Sequence, residues 1–259
     1  MDLSIVKIGC CGFSSSRFKY YSDFHIVELQ NTFYELPTIE WCKKLRSEAP
    51  VDFEFTIKAW QVITHPSTSP TWRRMRVKPK GSLENYGYLK PTRENIDAFN
   101  QVLELAHVLK SRFIILQTPE SMIYSDESVK WVSEFFKEIE SITQKRIVVG
   151  WEPRGEWSRR ESVLEKILRE YGILHVTDLF RRKPLYILDG LIYTRLHGIG
   201  PGEVNYKYKY SVSDFEKLSS ILSEFDFREA YVLFNNIYMY QDALSFRKYL
   251  VEKTSYIIY

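Results

Sequence analysis

The chain has 259 residues, 44% of them hydrophobic and 27% charged, with 36 lysines and arginines against 33 aspartates and glutamates. An apolar share this large excludes a disordered chain, and a formal charge of only +3 excludes bulk basicity as a reason to bind nucleic acid. Three cysteines, two of them adjacent (Cys10 and Cys11), cannot make a disulfide framework and suit a reducing, cytoplasmic setting.

In chain order, short runs rich in Val, Ile, Leu, Phe and Tyr alternate with segments of helical period. No basic and then apolar leader follows Met1, and no stretch of about 18 apolar residues is present to span a membrane. Strands are expected over Ile5 to Cys10, His25 to Gln30, Phe53 to Lys58 and Arg112 to Gln117. Four more are expected over Arg146 to Glu152, Ile173 to Asp178, Leu191 to His197 and Ala230 to Asn235. Helices are expected over Thr38 to Ala49 (bracketed by Pro37 and Pro50), Thr92 to Lys110 (with Thr92 as cap), and Ser125 to Thr143. Arg159 to Tyr171, Ser213 to Phe225 and Tyr240 to Glu252 complete the set. Eight strands alternating with helices predict a single-domain (β/α)8 TIM barrel over residues 1–259. The segments after strands one and six are too short, or too proline-interrupted (Pro184), for full helices. An open doubly wound sheet would call for a glycine-rich phosphate turn, which Gly9-Cys10-Cys11-Gly12 does not supply.

Polar residues fall at the C-terminal ends of these strands: Asn31, Lys58, Gln117, Glu152, Arg154, Asp178, Arg195, His197, Asn235 and Asn236. A barrel gathers such ends at one mouth, where barrel enzymes place their chemistry. Strand alternation turns Glu54, Thr56 and Lys58 inward on one strand and Tyr193, Arg195 and His197 on another, so these charges are expected to form a network around a site. Single Asn or Asp residues at strand ends also serve as ordinary turn residues. Five long charged or imidazole side chains together suit anion recognition beside an acid or base.

Two loops draw attention. Between strand three and the Thr92 helix run about thirty residues, long for a βα connection. They carry Arg73, Arg74, Arg76, Lys78, Lys80 and Lys90 interleaved with Trp60, Trp72, Tyr86 and Tyr88. The pattern fits stacking on bases or sugars, and it fits somewhat better a solvated lid whose aromatics pack onto the barrel rim. The second loop, Gly198 to Ser211, alternates Tyr and Lys after Gly200-Pro201-Gly202. No H-E-x-x-H, C-x-x-C or G-x-S-x-G motif is present, so no dedicated metal site is assigned. A divalent ion held by Glu152, Asp178 and His197 remains an alternative. Cys10 or Cys11 as nucleophile, a Schiff base on Lys58, and Glu152 paired with Asp178 or Glu28 are further chemistries these residue types allow.

Ile8-Gly9-Cys10-Cys11-Gly12-Phe13 and Glu28-Leu29-Gln30-Asn31-Thr32-Phe33-Tyr34 resemble the opening of the YecE-like proteins, known as domain of unknown function 72. Phe55-Thr56-Ile57-Lys58, Ile63-Thr64-His65, Leu116-Gln117-Thr118-Pro119, Glu152-Pro153-Arg154, Arg195-Leu196-His197-Gly198 and Phe234-Asn235-Asn236 follow in the family's order. The resemblance runs nearly end to end. It departs at Cys10-Cys11, where the family usually has Thr-Ser, at Phe13 for Trp, and at Glu120 for a second proline. It implies a TIM barrel and adds His65 to the candidate positions.

The expected function is an enzyme that binds a phosphorylated, sugar or nucleic-acid-derived ligand and performs hydrolysis (phosphoester or glycosidic) or isomerisation. Glu152 is the expected base, His197 the acid, and Lys58, Arg154 and Arg195 the anion contacts. Asn31, His65, Gln117, Asp178, Tyr193, Asn235 and Asn236 complete the substrate-binding set. The alternative is a non-catalytic nucleic-acid or nucleotide binder using residues 60–91, and a third is a scaffold that engages a protein partner. No membrane partner is expected.

Overall fold

The structure is a computed structural model that describes residues 4–144 and 146–259. The start of the chain, on which the absence of a leader was read, lies outside the described residues. Strand β1 (Ile5–Cys11) leads through a short α1 (Arg17–Asp23) to β2 (Ile26–Leu29), one-turn α2 (Asn31–Tyr34) and α3 (Ile39–Glu48). Strand β3 (Glu54–Lys58) is followed by one-turn α4 (Gln61–Thr64), 3-10 turns at Pro70–Arg74 and Leu83–Asn85, and α5 (Arg93–Leu109). Then come β4 (Phe113–Gln117), α6 (Asp126–Thr143), β5 (Val148–Glu152), α7 (Glu161–Glu170) and β6 (Leu174–Thr177). The chain finishes with β7 (Leu191–Leu196), α8 (Val212–Ser223), β8 (Glu229–Phe234), α9 (Met239–Lys253) and β9 (Ile257–Ile258). Strands β1 to β8 are parallel and follow one another around a closed barrel with alternating helices, β1 pairing both β8 and β2.

Capping explains why the helix starts are legible. The Thr92 hydroxyl accepts from Asn95 N, and Ser125 and Ser211 each close a reciprocal box with the residue three positions on. After β6 the chain makes turns and an isolated bridge, Leu188 to Leu191, where the sequence suggests an abbreviated helix. Pro184 lacks the N–H a helix needs there, and Asp189 and Gly190 both adopt positive φ.

Two compact units make up the chain. The first comprises residues up to Glu28, Pro50–Glu54 and Leu174–Tyr259. In it β8 pairs β7 and β1 so that Tyr231 lies level with Tyr193 and Lys7. The two tyrosine rings stack at 5.7 Å. Lys7 bridges Glu54 and Glu229, and the Tyr231 hydroxyl donates to both carboxylates (3.1 and 2.9 Å). Glu54 therefore does not belong with Lys58 in one functional row. It serves the start of its strand, about 13 Å of extended chain before Lys58. Further along β7, Arg195 and Glu28 form an ion pair of 2.9 Å in which neither side chain has any solvent exposure. The Tyr193 hydroxyl donates to the other Glu28 oxygen at 2.9 Å.

The second unit comprises Leu29–Ala49 and Phe55–Ile173. Its strands β3, β4 and β5 are parallel, with Lys58 level with Ile115 and Gln117 level with Glu152. Aromatic edges join α5 to α6, Phe99 to Phe135 at 6.1 Å, and α6 to the sheet, Phe136 to Trp151 at 5.3 Å. The indole of Trp151 donates to the Thr118 hydroxyl at 3.1 Å, so this large buried ring leaves no polar atom unsatisfied.

Removing one member of a buried pair strands its partner's charge. Arg195→Met is expected to lower stability by about 3–5 kcal/mol, and adding Glu28→Met should restore at least about half of that loss. Urea unfolding of the two variants beside the wild type measures both.

Candidate active site

The second unit brings four of the expected residues to the C-terminal ends of three successive strands. Lys58, Gln117 and Glu152 end β3, β4 and β5, and all are more than nine-tenths buried. Lys58 Nζ donates to Gln117 Oε1 at 2.9 Å and lies 4.0 Å from the centre of the Phe33 ring, a cation–π contact. The backbone of Lys58 is fixed as well, since its carbonyl accepts from the Thr32 hydroxyl at 2.7 Å. Arg154, two residues beyond β5, turns back so that Nε and Nη2 donate to Glu152 Oε1 at 2.9 and 2.8 Å.

His65 packs its edge on Phe33, with ring centres 5.0 Å apart, and its Nδ1 lies 2.8 Å from the Thr64 hydroxyl. Burial pushes its pKa down to about 3, and the positive charges of Lys58 and Arg154 push in the same direction. His65 is thus a neutral imidazole at physiological pH. Local sequence explains its placement. The turn Gly87 to Leu89 runs back along α4, with Gly87 N donating to Val62 O (2.7 Å) and Tyr88 N to Thr64 O (3.0 Å). Gly87 has φ +86°, and a Cβ there would stand 2.6–2.7 Å from the backbone of His65 and Pro66. Only glycine fits that approach. Asn31, the first residue of α2, is exposed.

The long segment after β3 turns most of its aromatics inward. Trp60, Trp72 and Tyr86 are buried, the Trp72 indole donates to His65 O at 3.1 Å, and Lys78 lies over the Trp72 ring. Arg73, Arg74, Arg76, Lys78 and Lys80 stay exposed.

The first unit holds the remaining candidates in a different arrangement. Asp178, just after β6, accepts from Phe180 N (3.0 Å) and His197 N (2.9 Å) and lies 3.7 Å from Arg181. His197 places Nδ1 3.6 Å from the same carboxylate. Tyr193 and Arg195 are the Glu28 partners described above. Asn236 donates to Tyr208 O (2.7 Å) and Asp242 Oδ2 (2.6 Å), which ties the loop after β7 to α9. Burial raises the Asp242 pKa above the usual carboxylate range, although the Asn236 and Tyr210 hydrogen bonds oppose that. Asn235 is half-buried, and its backbone N–H bonds Leu196 O at 2.8 Å. Cys11 is buried beside Glu28 and Arg195, and burial raises its thiol pKa, while Cys10 is pushed up to about 11. Neither is a ready nucleophile at neutral pH.

Among the described residues no three His, Cys, Asp or Glu side chains gather as an ion-binding group. Arg181, Tyr210 and Asp242 escape sequence reasoning because each acts through loop geometry rather than through a strand end. Phe33, central to the Lys58 and His65 contacts, lies in the Asn31-Thr32-Phe33-Tyr34 run and could have been found there.

A closed eight-stranded parallel barrel with charged side chains at its strand ends is a TIM-barrel protein. The family model described as "Protein of unknown function DUF72" matches residues 13–256, and the chain belongs to that family. It is similar to a solved DUF72 family protein from Enterococcus faecalis, at 20% identity and a TM-score of 0.69, over 96% of this chain and 98% of that one. A DUF72 family protein from Thermotoga maritima matches at 24% identity and a TM-score of 0.66, over 95% and 99% of the two chains. A D-tagatose 3-epimerase-like protein shares the fold at 17% identity and a TM-score of 0.60, over 95% of this chain and 96% of that one. No curated protein matches the chain. No helix among the described residues is long and apolar enough to cross a membrane.

The depressed pKa of His65 has a sign. The unfolded chain takes up the imidazole proton near pH 6.5 while the folded one resists it down to about pH 3. The stability contributed by the neutral ring is therefore full above about pH 6.5 and is lost progressively as pH falls towards 3. His65→Gln should accordingly be destabilised relative to wild type at pH 7, with the gap narrowing by on the order of 2 kcal/mol at pH 4.5. Urea unfolding at the two pH values reads the change.

Proposed function

We propose that this protein is an enzyme that binds a phosphorylated or sugar-bearing small molecule at the C-terminal ends of β3, β4 and β5 and moves a proton on it. The observation that carries the reading is that the charges of Lys58 and Arg154 both act on His65 while Arg154 grips Glu152, so the four side chains work as one group. Lys58 and Arg154 offer positive charge to a phosphate or a developing oxyanion. Glu152 takes the proton. His65 stays neutral and offers one hydrogen bond, and Gln117 orients both Lys58 and the ligand. This set favours isomerisation by proton transfer beside a carbonyl over hydrolysis, because no group in it is poised to protonate a leaving group. The fold shared with a D-tagatose 3-epimerase-like protein adds free sugars to the ligands worth testing.

In this reading Arg195, fully buried against Glu28, holds its strand in place rather than touching ligand. Asp178 and Asn236 do the same for the turns they bond. Nucleic-acid contact through residues 60–91 draws less support, because the aromatic faces that would stack on bases are buried within that segment.

A thermal-shift screen of sugars, sugar phosphates, nucleotides and oligonucleotides identifies the ligand class, since any binder of the native state raises the midpoint. A sugar phosphate is expected to raise it, and Lys58→Met to remove the rise. Glu152→Gln should keep the rise while turnover drops by about 10²–10⁴-fold. Wild-type turnover by Glu152→Gln, or an undiminished shift in Lys58→Met, would overturn the assignment.

A further inference from the structure

A groove of about 910 Å³ opens on the second unit between the loop that precedes α3, the outer face of α5 and the Val77 to Gly81 strap. It uses none of Lys58, Glu152 or Arg154, and its volume falls within the roughly 300–1,000 Å³ typical of small-ligand sites. Its apolar lining comes from Leu36, Trp60, Val77, Pro79 and Tyr86. Val77 is 69% exposed, a large side chain left in water at the groove's edge.

Two polar features show what such a groove would take. Trp60 is 7% exposed, and its indole N–H has no hydrogen-bond partner among the described residues. A buried donor without an acceptor is destabilising, and an acceptor atom brought in by a ligand satisfies it. The second feature is the state of the charges around the groove. Each carboxylate is already engaged: Glu35 lies 3.7 Å from Arg76, Asp97 lies 3.6 Å from Arg93, and Glu94 accepts from Asn85 at 2.8 Å. Lys80 is exposed and its ammonium has no ion-pair partner among the described residues. A cationic ligand would compete with these arginines and with the Asn85 and Ser82 hydrogen bonds for the carboxylates, whereas an anion meets a lysine without an ion pair among the described residues.

We propose that this groove is a second binding site, for a small organic anion with a planar apolar body. The body lies against Leu36, Val77 and Tyr86, an acceptor atom takes the Trp60 N–H, and a carboxylate, sulfonate or phosphate group reaches Lys80. The strap that carries Lys80 is tied by Lys78 Nζ to Trp72 O (3.2 Å), by the Tyr86 hydroxyl to Lys80 O (2.5 Å) and by the Ser82 N–H to Glu94 (3.3 Å), which holds Lys80 at the groove.

Two fluorescent probes of similar body test this: 8-anilinonaphthalene-1-sulfonate and the uncharged N-phenyl-1-naphthylamine. The full chain should bind one equivalent of the sulfonate. Lys80→Met should weaken the sulfonate about tenfold while leaving the uncharged probe within about twofold, and Trp60→Phe should weaken the sulfonate about threefold. Gln101→Trp, on the exposed face of α5 that lines the groove, should abolish binding of both probes. Lys58→Met should change nothing, which separates this site from the one proposed above. Urea midpoints within error of wild type show that the variants are folded. Absence of saturable binding, sulfonate affinity indifferent to Lys80→Met, or binding that survives Gln101→Trp would each overturn the proposal.

Discussion

The interior of the first unit depends on a charge that has nowhere to go. Glu28 and Arg195 are both removed from water, and a carboxylate or guanidinium in that position is tolerable only while its partner and hydrogen bonds are in place. The pair therefore fixes more than itself. It sets the rotation of β7, which puts Tyr193 on Glu28, stacks Tyr193 on Tyr231, and leaves Tyr231 to share the carboxylates that Lys7 holds. A polar core of this kind is a specifying device, because a slip of β7 by one residue would turn Arg195 outward and leave Glu28 alone.

The second unit uses the same currency differently. Lys58 donates to the Gln117 amide oxygen and lies against the Phe33 ring, and Arg154 donates twice to one oxygen of Glu152. Burial first, and then the positive charges of Lys58 and Arg154, lower the pKa of His65. Coupled groups with displaced ionisation behaviour are more often found at working sites than in scaffolding. The contrast between the two units is the physical ground for assigning chemistry to one and support to the other.

Much of this was legible in the sequence for specific reasons. The eight strands declare themselves because a parallel barrel buries both faces of each strand, and their runs are apolar along most of their length. Thr92 and Ser125 mark helix starts because a hydroxyl there satisfies a backbone donor. Lys58, Gln117, Glu152 and Arg154 stand out as polar endings to apolar runs, and they do come together. Helices α2 and α4 were invisible because a single turn has no period to read, and β9 because two residues show no alternation. The inward row of Glu54, Thr56 and Lys58 was right in direction but wrong in grouping, since alternation says which face a residue takes and nothing about which end of the barrel its charge will find a partner. Burial of Trp60, Trp72 and Tyr86 agrees with the lid reading of that loop but could not be separated from the stacking reading, because irregular segments lack the periodicity that separates an inner from an outer face.

Gly87 has a consequence for how this molecule can change over evolutionary time. Its bare α-carbon lies against the backbone that carries the imidazole, so a methyl group at this one position would displace the neutral histidine. In the exposed stretch a few residues earlier, from Val77 to Ser82, the ties run through side chains and a Cβ at Gly81 would meet only the flexible Glu94 side chain, so exchange of residues there is milder in its effect. Specificity at the outer groove can thus drift independently of the chemistry at the strand ends, with a single hydrogen atom marking the boundary between the part of the loop that varies and the part that must not.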